Sequence, residues 1–287
     1  MDRQEKQPLV SFFWGIPAFV WQVVFFYLPL TFLLATSFVR YSEQIDQAQF
    51  TLMHYASLFK SVYITIFLRS LLAASLTVVV TLLIAYPVAY YLVMRVRRWR
   101  MVFFALLVLP FWTNFLLLVY SWYFLLENDG IINNFLKMIG LINEPIALMN
   151  SPIALYCGMF YCYLPFMLLP LYSTFDRLSK QLLEASQDLG ANPTQTFWRI
   201  TLPLTMSGIQ TGAMLVFIPA FGEFVIPALL GGDKNMYVGS VITHYFLTIR
   251  DVSLGSAFTC SSVVILVTGF LFLFGIKKLL FGRRNYV

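Results

Sequence analysis

The sequence predicts an all-α membrane protein with six transmembrane helices, and three observations carry that prediction. The first is composition. The chain is 60% hydrophobic and 11% charged, with a mean hydropathy of +0.77, where a soluble domain carries roughly 25% charged residues. The second is length: six apolar blocks reach the about 20 helical residues that span the hydrocarbon. The third is the placement of Lys and Arg, which gather on one set of flanks. Helices are required in these blocks, because open strands would leave backbone groups unpaired in lipid.

The spans fall near 11–39, 64–94, 101–126, 151–175, 203–231 and 254–276, and together they fill one domain of 1–287. Their cores are uncharged except for Arg69 near one end of the second and Glu223 in the fifth. The first apolar run is about twice the length of a signal-peptide core and lacks a small-residue cleavage site, so it is expected to stay as a membrane helix. Thirteen of the nineteen cations lie on one side: Arg3, Lys6, Arg95, Arg97, Arg98, Arg100, Arg177, Lys180, Arg199, Lys277, Lys278, Arg283 and Arg284. The other side holds Arg40, Lys60, Arg69, Lys137, Lys234 and Arg250. The positive-inside bias therefore places both termini in the cytoplasm. It also accounts for the net charge of +6, leaving no basic surface for nucleic acid. The three cysteines, Cys157, Cys162 and Cys260, fall inside spans and read as core filler.

Two loops are more than connectors. On the outer side, Ile131–Ile139 has apolar residues at helical spacing between Gly130 and Gly140, which predicts a short helix lying on the surface. On the inner side, residues 176–202 form the one long loop. There Glu184-Ala185-Ser186-Gln187-Asp188-Leu189-Gly190 reads as a helix ended by a glycine at positive φ. Asn192-Pro193-Thr194-Gln195 starts a second helix, with Asn as the N-cap, Pro at the first helical position and Gln at the third. The fifth span, in turn, contains Pro219, Gly222 and Pro227, so it is expected to kink or break in its outer half and to line a cavity. Its start, Gly208-Ile209-Gln210-Thr211-Gly212, is a small-xxx-small pair that lets helix backbones approach closely.

An enzyme is excluded on inventory: no catalytic constellation, metal-ligand spacing or phosphate-binding Gly-x-x-x-x-Gly-Lys-Ser/Thr loop occurs. Candidate residues for a transport path are fewer. Glu223 reads either as a counter-charge for a cationic substrate or as an interfacial carboxylate paired with a group such as Arg69. In the third span, Trp112 and Tyr123, eleven residues apart, fall within about 20° of each other on a 3.6-period helix, Asn114 shares a face with Ser121, and aromatic faces attract ammonium groups. The alternative is packing or lipid-facing aromatics, with Tyr120, Trp122 and Tyr123 forming an outer belt.

The inner loop pattern resembles the coupling motif of bacterial ABC importer permeases. Its matching positions are Glu184-Ala185, Gly190 six residues after the Glu, Ile200 ten after the Gly, and Leu202-Pro203. Further segments resemble the spermidine/putrescine permeases of that family. These are Pro110-Phe111-Trp112-Thr113-Asn114, Tyr163-Leu164-Pro165-Phe166-Met167, and Phe221-Gly222-Glu223-Phe224-Val225-Ile226-Pro227. One departure is Ser186, where the commonest family pattern has a second Ala.

The resemblance implies a type I ABC importer permease architecture in a bacterial inner membrane, moving polyamines into the cytoplasm. Glu184, Ala185, Asp188, Gly190, Ile200 and Pro203 would then form the coupling surface. It further implies two copies of a separate ATPase holding ATP and Mg, a second permease subunit and a periplasmic substrate-binding protein; this chain itself would hold no cofactor. An importer of another small solute, such as a metal chelate or phosphonate, and a secondary transporter are the alternatives.

Overall fold

The computed structural model describes residues 16–41, 48–96, 98–232 and 235–281. Arg3, Lys6, Arg97, Lys234, Arg283 and Arg284, which enter the charge argument, lie outside the described residues. Among the described residues, six helical stretches are long and apolar enough to cross a membrane, one of them counted over Phe115–Met138 across a turn at 127–130. In chain order the elements are α1 (Ile16–Thr36), β1 (Val39–Tyr41), β2 (Ala48–Phe50), α2 (Met53–Ser57), α3 (Ser61–Met94) and α4 (Arg100–Trp112). There follow α5 (Phe115–Leu126), α6 (Ile131–Met138), α7 (Pro152–Asp176), α8 (Lys180–Asp188) and α9 (Pro193–Phe221). The last are α10 (Pro227–Gly231), α11 (Val238–Ile249) and α12 (Val252–Phe281).

The chain divides into two compact units, one made of 1–64 with 242–287, the other of 65–241. In the first, α1 meets α12 through a buried hydroxyl pair, Thr36 and Ser256, 3.0 Å apart. Hydroxyls of this kind join membrane helices without exposing a polar group to lipid. The segment after α1 forms a two-stranded antiparallel ribbon with Val39 opposite Phe50. Above it the Ser37 hydroxyl meets the Tyr55 phenol at 2.7 Å.

The second unit is built around α7, half of whose apolar length is buried. Small residues make this possible. A Cβ on Gly208 of α9 would run into the Thr174 hydroxyl of α7, and one on Gly212 would lie 2.6 Å from the Met167 sulfur. The glycine pair therefore lets the α9 backbone rest directly on α7, as its spacing predicts. Gly212→Leu should lower the thermal unfolding midpoint in detergent, because overpacking a closed contact costs about 1–3 kcal/mol; an unchanged midpoint would mean that the two helices separate freely. On α3, Ala73, Ala74, Ala85 and Ala89 are buried and keep its inner face narrow. Thr77 and Thr81 of the same face return their hydroxyls to the carbonyls of Ala73 and Thr77, so their burial leaves no unpaired donor.

Two expectations about helix continuity change. The third span, read as one helix over 101–126, is two: α4 ends in a tight 3₁₀ turn over Leu109–Trp112, and α5 begins at Phe115. Pro110 shapes that turn, and Asn114 starts α5 afresh by accepting the Leu116 N–H on its side chain at 2.8 Å. Conversely, the second helix of the inner loop does not stop at Leu202-Pro203. It runs unbroken into the fifth span, and a wider π-type turn over Phe197–Thr201 falls just before Pro203, which has no N–H to donate.

Candidate functional site: a capped helical loop and two broken helices

The inner loop is built from local signals that the sequence spells out. Gly190 takes φ +82°, and two bonds close the end of α8: Gly190 N–H to the Gln187 carbonyl (2.8 Å) and Ala191 N–H to the Ser186 carbonyl (3.0 Å). This is the Schellman arrangement. The next helix starts with a reciprocal capping box, in which Asn192 Oδ1 accepts the Gln195 N–H at 2.8 Å and Gln195 Oε1 accepts the Asn192 N–H at 3.1 Å.

The turn is closed from inside by a pair that no local sequence pattern announces. The Ser186 hydroxyl is buried and lies 2.9 Å from that of Thr196, tying the two helices together. The only signal was Ser at a position where a second Ala is common. With Ser186 facing inward, Glu184 and Asp188 lie within about 20° of the opposite side of α8, and both are exposed. Ala185 and Gly190 are exposed beside them, Ile200 is half-buried, and Pro203 is exposed. Leu189, which carries no sequence signal of a role, stands at the tip with 89% of its surface exposed. Among the described residues nothing covers this apolar side chain, which stands among charges.

The loop is joined to the helices around it. Lys180 Nζ donates to the Met94 carbonyl at the end of α3 (3.4 Å). The Tyr86 phenol of α3 meets the Thr205 hydroxyl at 3.0 Å. Just outside, Arg100 and Asp176 form an ion pair at 2.7 Å, half exposed on both sides, which contributes about 1 kcal/mol at most. α8 is thus bonded to the end of α3, and the helix that follows it runs on into the fifth span.

At the other end, the fifth span breaks at Gly222–Phe224. Pro219 stays inside α9, and Glu223 sits in the gap, 8% exposed. Its Oε1 accepts the N–H groups of Phe224, Val225 and Ile226 at 3.0, 2.8 and 3.3 Å. Its Oε2 accepts the Tyr163 hydroxyl of α7 at 2.5 Å. The carboxylate therefore caps the helical segment that resumes the span, where a negative charge also suits the helix dipole.

Arg69, the partner considered from sequence, is exposed and lies near Tyr237. Burial pushes that phenol up, with Tyr156 adding to the effect and Arg69 opposing it. Among the described residues the one ion pair is that of Arg100 and Asp176. The break is also held from α3, where the Ser70 hydroxyl accepts the Val238 N–H that opens α11 (2.9 Å).

The third span breaks beside Trp112, which is 87% exposed, and Asn114, whose amide oxygen is used as the cap described above. The helical phase that would align Trp112 with Tyr123 does not apply across that break. Tyr123 packs edge-on against Tyr120 (6.5 Å) and Phe124 (5.8 Å), and Ser121 returns its hydroxyl to the Leu117 carbonyl.

Among the described residues, six helical stretches able to cross a membrane, with a capped helical pair between the fourth and fifth, make up a polytopic membrane component. The chain belongs to the family of binding-protein-dependent transport system inner membrane components, whose sequence profile matches residues 78–285. It is 40% identical over 247 residues to the spermidine/putrescine transport system permease protein PotB of Salmonella typhimurium (strain SL1344), covering 86% of each chain. The protein of the same name from Escherichia coli K12 is also 40% identical, over 86% of this chain and 90% of that one. The fold matches that of a bacterial ABC transporter involved in the import of the acidic polysaccharide alginate, with a TM-score of 0.76 over 98% of both chains at 17% identity. A second structure of an alginate transporter, in complex with alginate pentasaccharide-bound periplasmic protein, matches with the same score over 96% of both. The chain is thus an ABC importer permease of type I architecture, a membrane component and not itself an enzyme. Family membership sets aside the secondary transporter.

Proposed function

We propose that this permease carries polyamines of the spermidine/putrescine class into the cytoplasm, driven by a separate ATPase that docks on α8 and its turn. The observation that carries the coupling half is the ordered, outward-facing surface of Glu184, Ala185, Asp188, Leu189 and Gly190. It offers two carboxylates to basic groups, small residues for close approach, and an apolar tip to be buried. Ile200 and Pro203 lie in the stretch that carries the movement into the fifth span. Two copies of the ATPase bind ATP and Mg, a second permease subunit completes the membrane pair, and a periplasmic binding protein delivers the substrate. The polyamine half rests on the relatives named above. It favours that substrate over a metal chelate or phosphonate.

The whole chain acts as one permease domain in the inner membrane, with both termini and α8 in the cytoplasm. The path runs past the two helix breaks. Irregular backbone inside a membrane is tolerated where it lines a cavity or is buried in protein, which supports Trp112 and Asn114 at one break and Glu223 at the other as path residues, with Tyr123 further along α5. Glu223 both caps the resumed helix and supplies the negative charge that a polyammonium passes. Cysteines introduced at 137 and 187 test the orientation on which coupling depends. The first is expected to react with an impermeant thiol reagent added outside, the second only after the membrane is opened. The reverse pattern would put α8 beyond the reach of any cytoplasmic ATPase.

A further inference from the structure

We propose that α6 is an outer-leaflet anchor whose apolar face lies in lipid at the headgroup boundary and holds the outer end of α5 at a fixed depth. α6 is rigidly held against the end of α5. A Cβ on Gly130 would lie 2.6–2.8 Å from the carbonyl oxygens of Phe124, Leu125 and Glu127, so the chain folds straight back onto the last turn of α5. Asn133 then fixes the rotation. It is fully buried, donates Nδ2 to the carbonyls of Glu127 (3.2 Å) and Ile146 (3.0 Å), and accepts the Ile146 N–H on Oδ1 (3.0 Å).

With Asn133 turned inward, Ile131, Phe135 and Met138 lie within about 40° of the opposite side. They are 68%, 55% and 79% exposed. Three large apolar side chains on one face of a stapled helix need a covering.

Depth decides what covers them. Tyr120 and Trp122 occupy the last two turns of α5, the residue types that settle at the membrane–water interface. Exposed Glu127 and Asp129 follow at once, so the chain has left the hydrocarbon there. Because Gly130 returns α6 against the Phe124 and Leu125 carbonyls, α6 sits at the level of that aromatic belt and not above it. An amphipathic helix at that level buries its apolar face about 5–10 Å into the headgroup and acyl boundary. The exposed Phe124 and Tyr120 rings at the end of α5 continue the same apolar surface.

Spin labels at single cysteines test this in the complete importer, with Cys157, Cys162 and Cys260 replaced by Ala, in nanodiscs of phosphatidylethanolamine and phosphatidylglycerol. Labels at Phe135→Cys and Met138→Cys are expected to collide more with oxygen, which concentrates in lipid, than with a water-soluble nickel chelate. A label at Lys137→Cys should show the reverse. Greater collision with the chelate at 135 and 138 would put the face in water and overturn the proposal. Protection from both reagents there would mean that another protein subunit covers it, which overturns the proposal equally.

Discussion

Gly190→Val is expected to abolish ATP-driven uptake while the permease still inserts and assembles. At φ +82° a β-branched residue is strained by about 1–2 kcal/mol. The two bonds that close α8 depend on that conformation. Nothing within 4 Å would meet a Cβ at this position, so the damage does not come from crowding inside the loop. It comes from reorienting α8 relative to α9, and from added bulk on the surface offered to the ATPase. ATPase activity measured alongside uptake should show hydrolysis that no longer responds to loaded binding protein. Glu184→Lys is the companion change, since it reverses a charge on the same face without touching the turn. Normal transport and copurification with the ATPase by Glu184→Lys would reduce Glu184 to a solvated side chain.

Substitution at Glu223 should separate shape from charge. Glu223→Ala leaves three backbone N–H groups and the Tyr163 hydroxyl without their acceptor in a buried gap, at about 1–3 kcal/mol for each group left unpaired. That variant is expected to assemble poorly. Glu223→Gln keeps an oxygen for the three amides and a polar group facing Tyr163, while removing the charge. It should assemble normally yet lose uptake on the order of tenfold or more, because an opposite charge at 4 Å contributes about 4 kcal/mol at an effective dielectric near 20. The binding protein's affinity should not change. Unchanged polyamine uptake by Glu223→Gln would leave Glu223 as a helix cap alone.

How much of this was legible depended on whether the cause was local. The α8 turn was, because Gly190, Asn192, Pro193 and Gln195 act on their own neighbours through φ and capping. The outer helix α6 was legible for the same reason, bracketed by two glycines. The break in the fifth span was visible in Pro219, Gly222 and Pro227, but its position followed from Glu223, which caps the helix after it. From sequence, Glu223 invited a search for a distant cation such as Arg69. Its partners are instead the next three amides and Tyr163, sixty residues earlier, a pairing no local pattern announces. Asn114 misled in the other direction. Its N-capping chemistry was in plain view after Pro110, yet the apolar run on either side argued for one helix. Pro203 looked like a boundary and is not one, because the wider turn before it absorbs the missing donor. Ser186 and Thr196 meet only after the turn has formed.

The most direct test of the account is uptake of radiolabelled spermidine by proteoliposomes carrying the complete importer, with loaded binding protein outside and ATP inside. The account predicts accumulation that requires ATP, is suppressed by excess putrescine, and is indifferent to excess phosphonate or metal chelate. Accumulation without ATP, or ATP-dependent transport in which phosphonate competes and putrescine does not, would contradict it.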